Sequence, residues 1–202
     1  MNLKQYNMVY IKQKKELAEL FGFETRNKYE IRSERGDVIG FAAEQGKGVF
    51  GFLLRSFLGH WRRFEIHVFN NNRELEFKAV HPFRIFFQRL EIFDKDGNLL
   101  GSLQQRFSFF SKKFDFESST GSILYSVSSP IWRIWTFPIK KDGTEVAKIE
   151  KKWSGALTEL FTDADNFKAT FESSLKEDDK KLIISAAIFI DLQYFEKKAN
   201  TE

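Results

Sequence analysis

From Lys28 onward, apolar and polar residues trade places at every second position over short runs. Phe64, Ile66 and Val68 share one face while Glu65 and His67 take the other, and Phe114 and Phe116 alternate with Lys113, Asp115 and Glu117. Alternation of this kind marks a half-buried strand. Between the runs stand residues that tolerate tight turns: Glu34-Arg35-Gly36-Asp37, Asn70-Asn71-Asn72, Lys95-Asp96-Gly97-Asn98, Ser119-Thr120-Gly121 and Lys141-Asp142-Gly143. Gly97, Gly121 and Gly143 lie 24 and 22 residues apart, the length of two strands and a turn. Short strands in regular succession predict a closed antiparallel barrel or a sandwich. No Pro/Gly/Ser-rich linker divides the chain. It reads as one domain over 1–202, with a lead-in at 1–21 and barrel strands over 22–178.

Two segments break the alternation. Residues 180–196 carry an apolar stretch that includes Leu182, Ile183, Ile184, Ala187, Ile188, Phe189 and Ile190, interrupted by Asp191 and Gln193. The 14 residues from Leu182 to Phe195 span roughly 21 Å as a helix, short of the ~30 Å of bilayer hydrocarbon. A helix apolar on nearly every side belongs inside a protein, so a central helix within the barrel is favoured over a membrane span. The second segment is an amphipathic insertion over 49–64. On a helical wheel Phe50, Leu53, Leu54, Phe57, Leu58, Trp61 and Phe64 fall within about 140°, with Arg55, Arg62 and Arg63 opposite. The stripe fits two roles: a lid on the barrel mouth, or a helix lying in a membrane interface, where each basic residue near an anionic surface adds about 1 kcal/mol.

Composition narrows the chemistry. The 202 residues hold 24 Phe, 4 Trp and 5 Tyr but no Cys, which excludes disulfides, thiolate nucleophiles and Cys-bound zinc. Lys and Arg total 32 against 28 acidic residues, with the signs interspersed, so nucleic-acid binding is not expected. The basic run Lys148–Lys152 reads as a solvated strand face with Trp153 turned inward. Met1–Leu20 has no apolar core of a signal peptide, which points to the cytoplasm or the cytoplasmic face of a membrane. Gly46-x-Gly48-x-x-Gly51 lacks the βαβ setting of a dinucleotide site. His60, His67 and His81 lack zinc spacing. No nucleophile motif is present, and nothing points to an enzyme. Asp163 and Asp165 open like a calcium loop, but Lys168 stands where the turn needs Gly and Ser174 where a bidentate Glu is needed. Any calcium site there is weak, and no other cofactor is expected.

Several ordered blocks resemble the phospholipid scramblase family. They are Gly22-Phe23-Glu24-Thr25-Arg26-Asn27-Lys28-Tyr29-Glu30-Ile31, Phe41-Ala42-Ala43-Glu44, Lys151-Lys152-Trp153-Ser154-Gly155, the Phe161–Phe167 loop and Ala186–Asp191 with Tyr194-Phe195-Glu196. The resemblance implies a tubby C-terminal-like fold: a closed barrel of about twelve antiparallel strands around a central apolar C-terminal helix. It further implies binding of a phospholipid membrane and energy-independent lipid movement between leaflets, calcium-stimulated through the loop of Asp163 and Asp165. The alternative is a tubby-like barrel that recognises lipid headgroups or proteins without moving lipid. The cysteine-rich, acylated run of animal members reads here His81-Pro82-Phe83-Arg84-Ile85-Phe86-Phe87. Membrane contact would therefore rest on Phe83, Phe86 and Phe87 and on the 49–64 stripe, against an anionic surface.

Overall fold

The alternating runs form twelve strands, and every neighbouring pair is antiparallel. In the computed structural model, which describes residues 1–14, 27–45, 63–133, 135–152 and 166–195, they are β1 (Met8–Lys14), β2 (Lys28–Ser33), β3 (Val38–Glu44), β4 (Phe64–Asn70), β5 (Leu75–His81) and β6 (Arg89–Asp94). The second half comprises β7 (Leu99–Arg106), β8 (Ser111–Ser118), β9 (Ile123–Pro130), β10 (Thr136–Lys141), β11 (Thr144–Lys152) and β12 (Asn166–Phe171). Each pairs with its sequence neighbours, and β1 closes the ring by pairing with β12, Ile11 opposite Phe167. Closure leaves no edge strand, which settles barrel over sandwich. Met8–Lys14, in the stretch read from sequence as a lead-in, is thus the strand that shuts the barrel.

The lumen is filled rather than hollow. Inward-facing Ile11, Ile31, Val68, Phe77, Ile92 and Phe116 are all fully buried. They pack around α1 (Glu177–Tyr194), whose residues from Leu182 to Leu192 are buried without exception. Small residues set its distance from the wall. A side chain at Gly101 of β7 would meet Leu182 at 3.2 Å and the Glu117 carbonyl at 2.4 Å, so only glycine fits. The helix starts three residues before the expected Lys180. Glu177, Asp178 and Asp179 occupy its first turn, where carboxylates meet the positive end of the helix dipole, and Asp179 accepts a hydrogen bond from the Lys176 amide. Among the described residues no helix is long and apolar enough to cross a membrane, and α1 belongs to the core.

An up-and-down order puts successive connections at alternate ends. At one end lie the five turns β2–β3, β4–β5, β6–β7, β8–β9 and β10–β11, all tight. Gly36, Arg73, Gly97, Gly121 and Gly143 adopt φ between 65° and 88° there, the left-handed value that such hairpins require. In the first four, one amide bonds back across three residues, as Gly97 N–H does to Asp94 C=O, and the strand register shifts one step away. Side chains reinforce them: Asn70 and Asp94 each accept two backbone N–H groups within their own turns.

A 3₁₀ turn (Leu3–Gln5) closes this end over the start of α1. Lys180 of α1 is fully buried, and its ammonium donates to the carbonyls of Leu3, Lys4 and Tyr6 at 3.2, 3.3 and 2.7 Å. Burial pulls its pKa below the usual lysine value, with Glu177 opposing.

Candidate functional site

The opposite end has a different chemistry. There the β5–β6 loop carries Phe83, Ile85, Phe86 and Phe87, the β7–β8 loop Phe107, Phe109 and Phe110, and the β9–β10 connection Ile131 and Trp132. All are between 46% and 76% exposed. Topology gathers the three loops, and contacts join them into one rim. The Phe87 and Phe107 rings meet edge-on with centroids 6.4 Å apart, Phe107 and Phe109 at 4.7 Å, and the Ile131 amide bonds the Phe110 carbonyl at 3.1 Å. Soluble surfaces rarely collect apolar side chains this way, and a patch of this kind marks an interaction site.

Buried polar groups hold the rings outward. His81, fully buried and stacked on Phe64 at 4.7 Å, shares a 2.7 Å hydrogen bond with the Gln88 amide oxygen. Gln88 donates from its side chain to the Arg84 carbonyl and from its backbone to the Gln105 side chain, while Gln104 donates to the Phe87 carbonyl at 3.1 Å. These bonds fix the β5–β6 loop tightly enough to keep Phe87 at φ 50°, which costs a bulky residue strain. Around the rings stand exposed Arg84, Lys113 and Arg133, none with an acidic partner among the described residues.

Beneath the rim lies a cavity of about 490 Å³. Phe86 and Phe87 wall it from one loop, Phe107 and Phe114 from the other side, and Phe189 and Tyr194 of α1 form its floor. Burial pushes the Tyr194 phenol up to about 12, and the Lys112 ammonium sits 4.1 Å from the centre of its ring. Close to this end of α1, Asp191 accepts from the Tyr29 hydroxyl at 2.9 Å and has the Lys151 ammonium 3.8 Å away. The same ammonium lies 3.8 Å over the Phe195 ring. Lys151 is 6% exposed, so the basic run is not one solvated face as the sequence suggested. One carboxylate, one ammonium and one phenol in this setting anchor the helix end. Among the described residues no three His, Cys, Asp or Glu side chains are placed to hold a metal.

Comparison with known proteins bears on this arrangement. The family profile described as Scramblase matches residues 1–197. The chain belongs to the scramblase family. It is 31% identical to human phospholipid scramblase 1 over 99% of its own length, and spans 66% of that protein. Human phospholipid scramblase family member 5 is 27% identical over 96% of the chain and 76% of the relative. An X-ray structure of a protein from Arabidopsis thaliana matches with a TM-score of 0.50 at 10% identity, covering 93% of this chain and 91% of that one, a likeness of fold alone.

On this scramblase-family barrel, the residues expected from sequence fall in three groups. Phe83, Phe86 and Phe87 are brought together on the rim, in a loop rather than on a strand. Leu182, Ile183, Ile184, Ala187, Ile188, Phe189, Ile190 and Asp191 line the core side of α1. The Phe50, Leu53, Leu54, Arg55, Phe57, Leu58, Trp61 and Arg62 stripe lies outside the described residues, as do Asp163 and Asp165. At its end Arg63 is exposed and pairs with Glu65 at 3.0 Å, while Phe64 begins β4 facing inward. Asn166, which follows Asp165, begins strand β12 (Asn166–Phe171).

Phe107, Phe109, Phe110, Ile131 and Trp132 were missed from sequence. The signal available was Phe107-Ser108-Phe109-Phe110 held between Arg106 and Lys112-Lys113, an aromatic cluster without the alternation of the strands beside it.

Proposed function

We propose that this scramblase-family protein binds phospholipid membranes peripherally through the aromatic rim and promotes energy-independent movement of lipid between leaflets there. The observation that carries the reading is the one-sidedness of the barrel: the exposed aromatic rings gather at one end, with Arg84, Lys113 and Arg133 among them. Aromatic side chains with basic neighbours suit the interface of an anionic bilayer, the rings entering the acyl boundary and the cations meeting headgroups. Relatives carrying the name phospholipid scramblase support a phospholipid as the partner. The reading needs no bond-making chemistry. Calcium enters it only as a weak effect through Asp163 and Asp165.

Because α1 fills the lumen, lipid has no route through the barrel. Headgroups would cross beside it, where inserted rings disturb acyl packing and lower the cost of taking a polar group through hydrocarbon. Reconstitution with leaflet-labelled phospholipid tests this: transfer above that of empty vesicles is expected, with at most a modest change on adding calcium. Transfer no faster than in empty vesicles, with and without calcium, overturns the movement. The same filled lumen favours a second reading, a barrel that binds lipid without moving it. Flotation with anionic vesicles in the absence of transfer would select that reading.

A further inference from the structure

The rim explains attachment to a surface but not the cavity beneath it. Its walls are rings: Phe86, Phe87 and Phe107 at the mouth, Phe114, Phe189 and Tyr194 below. Three amides also touch it, and all three have partners within the protein: Gln88 is turned to His81 and the Arg84 carbonyl, Gln105 to the Gln88 backbone, and Gln193 is engaged as well. What these walls offer a ligand is hydrocarbon and aromatic surface. At about 490 Å³ the cavity is of a size that holds a small molecule, since ligand sites run from roughly 300 to 1,000 Å³. Exposed Arg84 immediately precedes Ile85 and Phe86 of its lining in the chain, and the Lys112 ammonium lies over the Tyr194 ring.

From this geometry we infer that the cavity takes one acyl chain of an anionic membrane phospholipid, drawn in past Phe86 and Phe107, while the headgroup stays outside against Arg84. The inference rests on the membrane reading above and extends it, because rim contact alone leaves the cavity empty. Apolar lining selects hydrocarbon, and the flanking charge selects a lipid whose head is negative. An apolar chain gains about 0.8 kcal/mol for each methylene it buries. A chain held this way parks its headgroup at the rim, where the proposed leaflet-to-leaflet movement requires it.

The full chain is mixed with phosphatidylcholine/phosphatidylserine vesicles containing a trace of phosphatidylserine with a diazirine in its acyl chain. After illumination, labelled residues are mapped by mass spectrometry and binding is followed by flotation. Adducts on Phe114, Phe189 or Tyr194 are expected alongside rim adducts. Gln193→Trp, which fills the cavity from the last turn of α1, should float as the wild type does while cavity adducts fall at least about tenfold, the loss of two buried methylenes. The wild-type map stands without the variant, should that variant fold poorly.

Flotation with adducts confined to Phe86, Phe109, Phe110 and Trp132 overturns the acyl site and leaves the rim reading intact. Failure to float overturns the rim reading itself. Cavity adducts from a diazirine fatty acid but none from the phospholipid also overturn the inference, making the cavity a free fatty acid site.

Discussion

The two ends of this barrel are built from the same twelve strands and differ in almost everything else. One end is closed by five short turns, each with a left-handed residue, and is sealed by Lys180 under the carbonyls of Leu3, Lys4 and Tyr6. Its turns satisfy their own backbone groups. The other end spreads Phe83, Phe86, Phe87, Phe107, Phe109, Phe110 and Trp132 into solvent over an apolar cavity. The first arrangement stabilises the fold, while the second does nothing for it that burial would not do better. The difference separates residues that hold the barrel from residues left exposed at its mouth.

Mutation can break that division, and the largest effect is expected at the rim. Together, Phe109→Ser, Phe110→Ser and Trp132→Ser remove three rings that contribute upward of about 1.5 kcal/mol each when buried, so vesicle affinity should fall roughly a thousandfold. Urea unfolding should stay within about 0.5 kcal/mol of wild type, as exposed positions usually do. Loss of stability with unchanged vesicle binding would reverse the assignment of the rim.

At the sealed end the pattern inverts. Lys180→Met leaves the Leu3, Lys4 and Tyr6 carbonyls without their donor and should cost about 2–3 kcal/mol in urea unfolding, with vesicle binding unchanged wherever the protein remains folded.

Acid probes the wall between the ends. Glu117 bridges Arg89 at 2.7 Å and Arg106 at 2.8 Å on the outer face of β6–β8. Burial raises its carboxyl pKa, but the Arg89 hydrogen bond and charge, Ser102 and Arg106 outweigh it and hold the group below the usual 4.5. A folded-state value below the unfolded one stabilises the protein fully above pH 4.5, and that stability is lost as pH falls through the folded value. Unfolding free energy measured against pH should therefore decline below that point. Glu117→Gln should flatten that part of the decline and cost about 1–2 kcal/mol at neutral pH.

The smallest effect tests the turns. Gly143→Ala has open space but φ of +85°, and should cost about 1 kcal/mol by calorimetry; Phe109→Ala at the rim should cost none.

The ends also differed in how far the sequence revealed them. The turns of the sealed end are local. Asp94, Asp96 and Gly97 sit within four residues of one another and make their own turn, so composition at a few positions sufficed. Period-two alternation exposed the strands, and the all-round apolar run exposed α1. The rim is not local: Phe87 meets Phe107, and Ile131 meets Phe110, only because an up-and-down barrel returns alternate loops to one end. The Phe83, Phe86 and Phe87 patch was legible in the sequence, but its place beside Phe107 was not. Lys180 was invisible as a plug because its partners lie more than 170 residues away. Strand β1 was overlooked because Met8–Lys14 has no turn signal to bound it, and its place depends on pairing with β12.

The central claim is that the aromatic end meets the membrane and the turn end does not. A chain without cysteine permits a direct test with one environment-sensitive thiol label per variant, at Phe109→Cys on the rim or Lys95→Cys in the β6–β7 turn. On phosphatidylcholine/phosphatidylserine vesicles the label at 109 should shift to the emission of a hydrocarbon surrounding while the label at 95 stays aqueous. A shift at 95, or no shift at 109 while the protein is bound, would contradict the account.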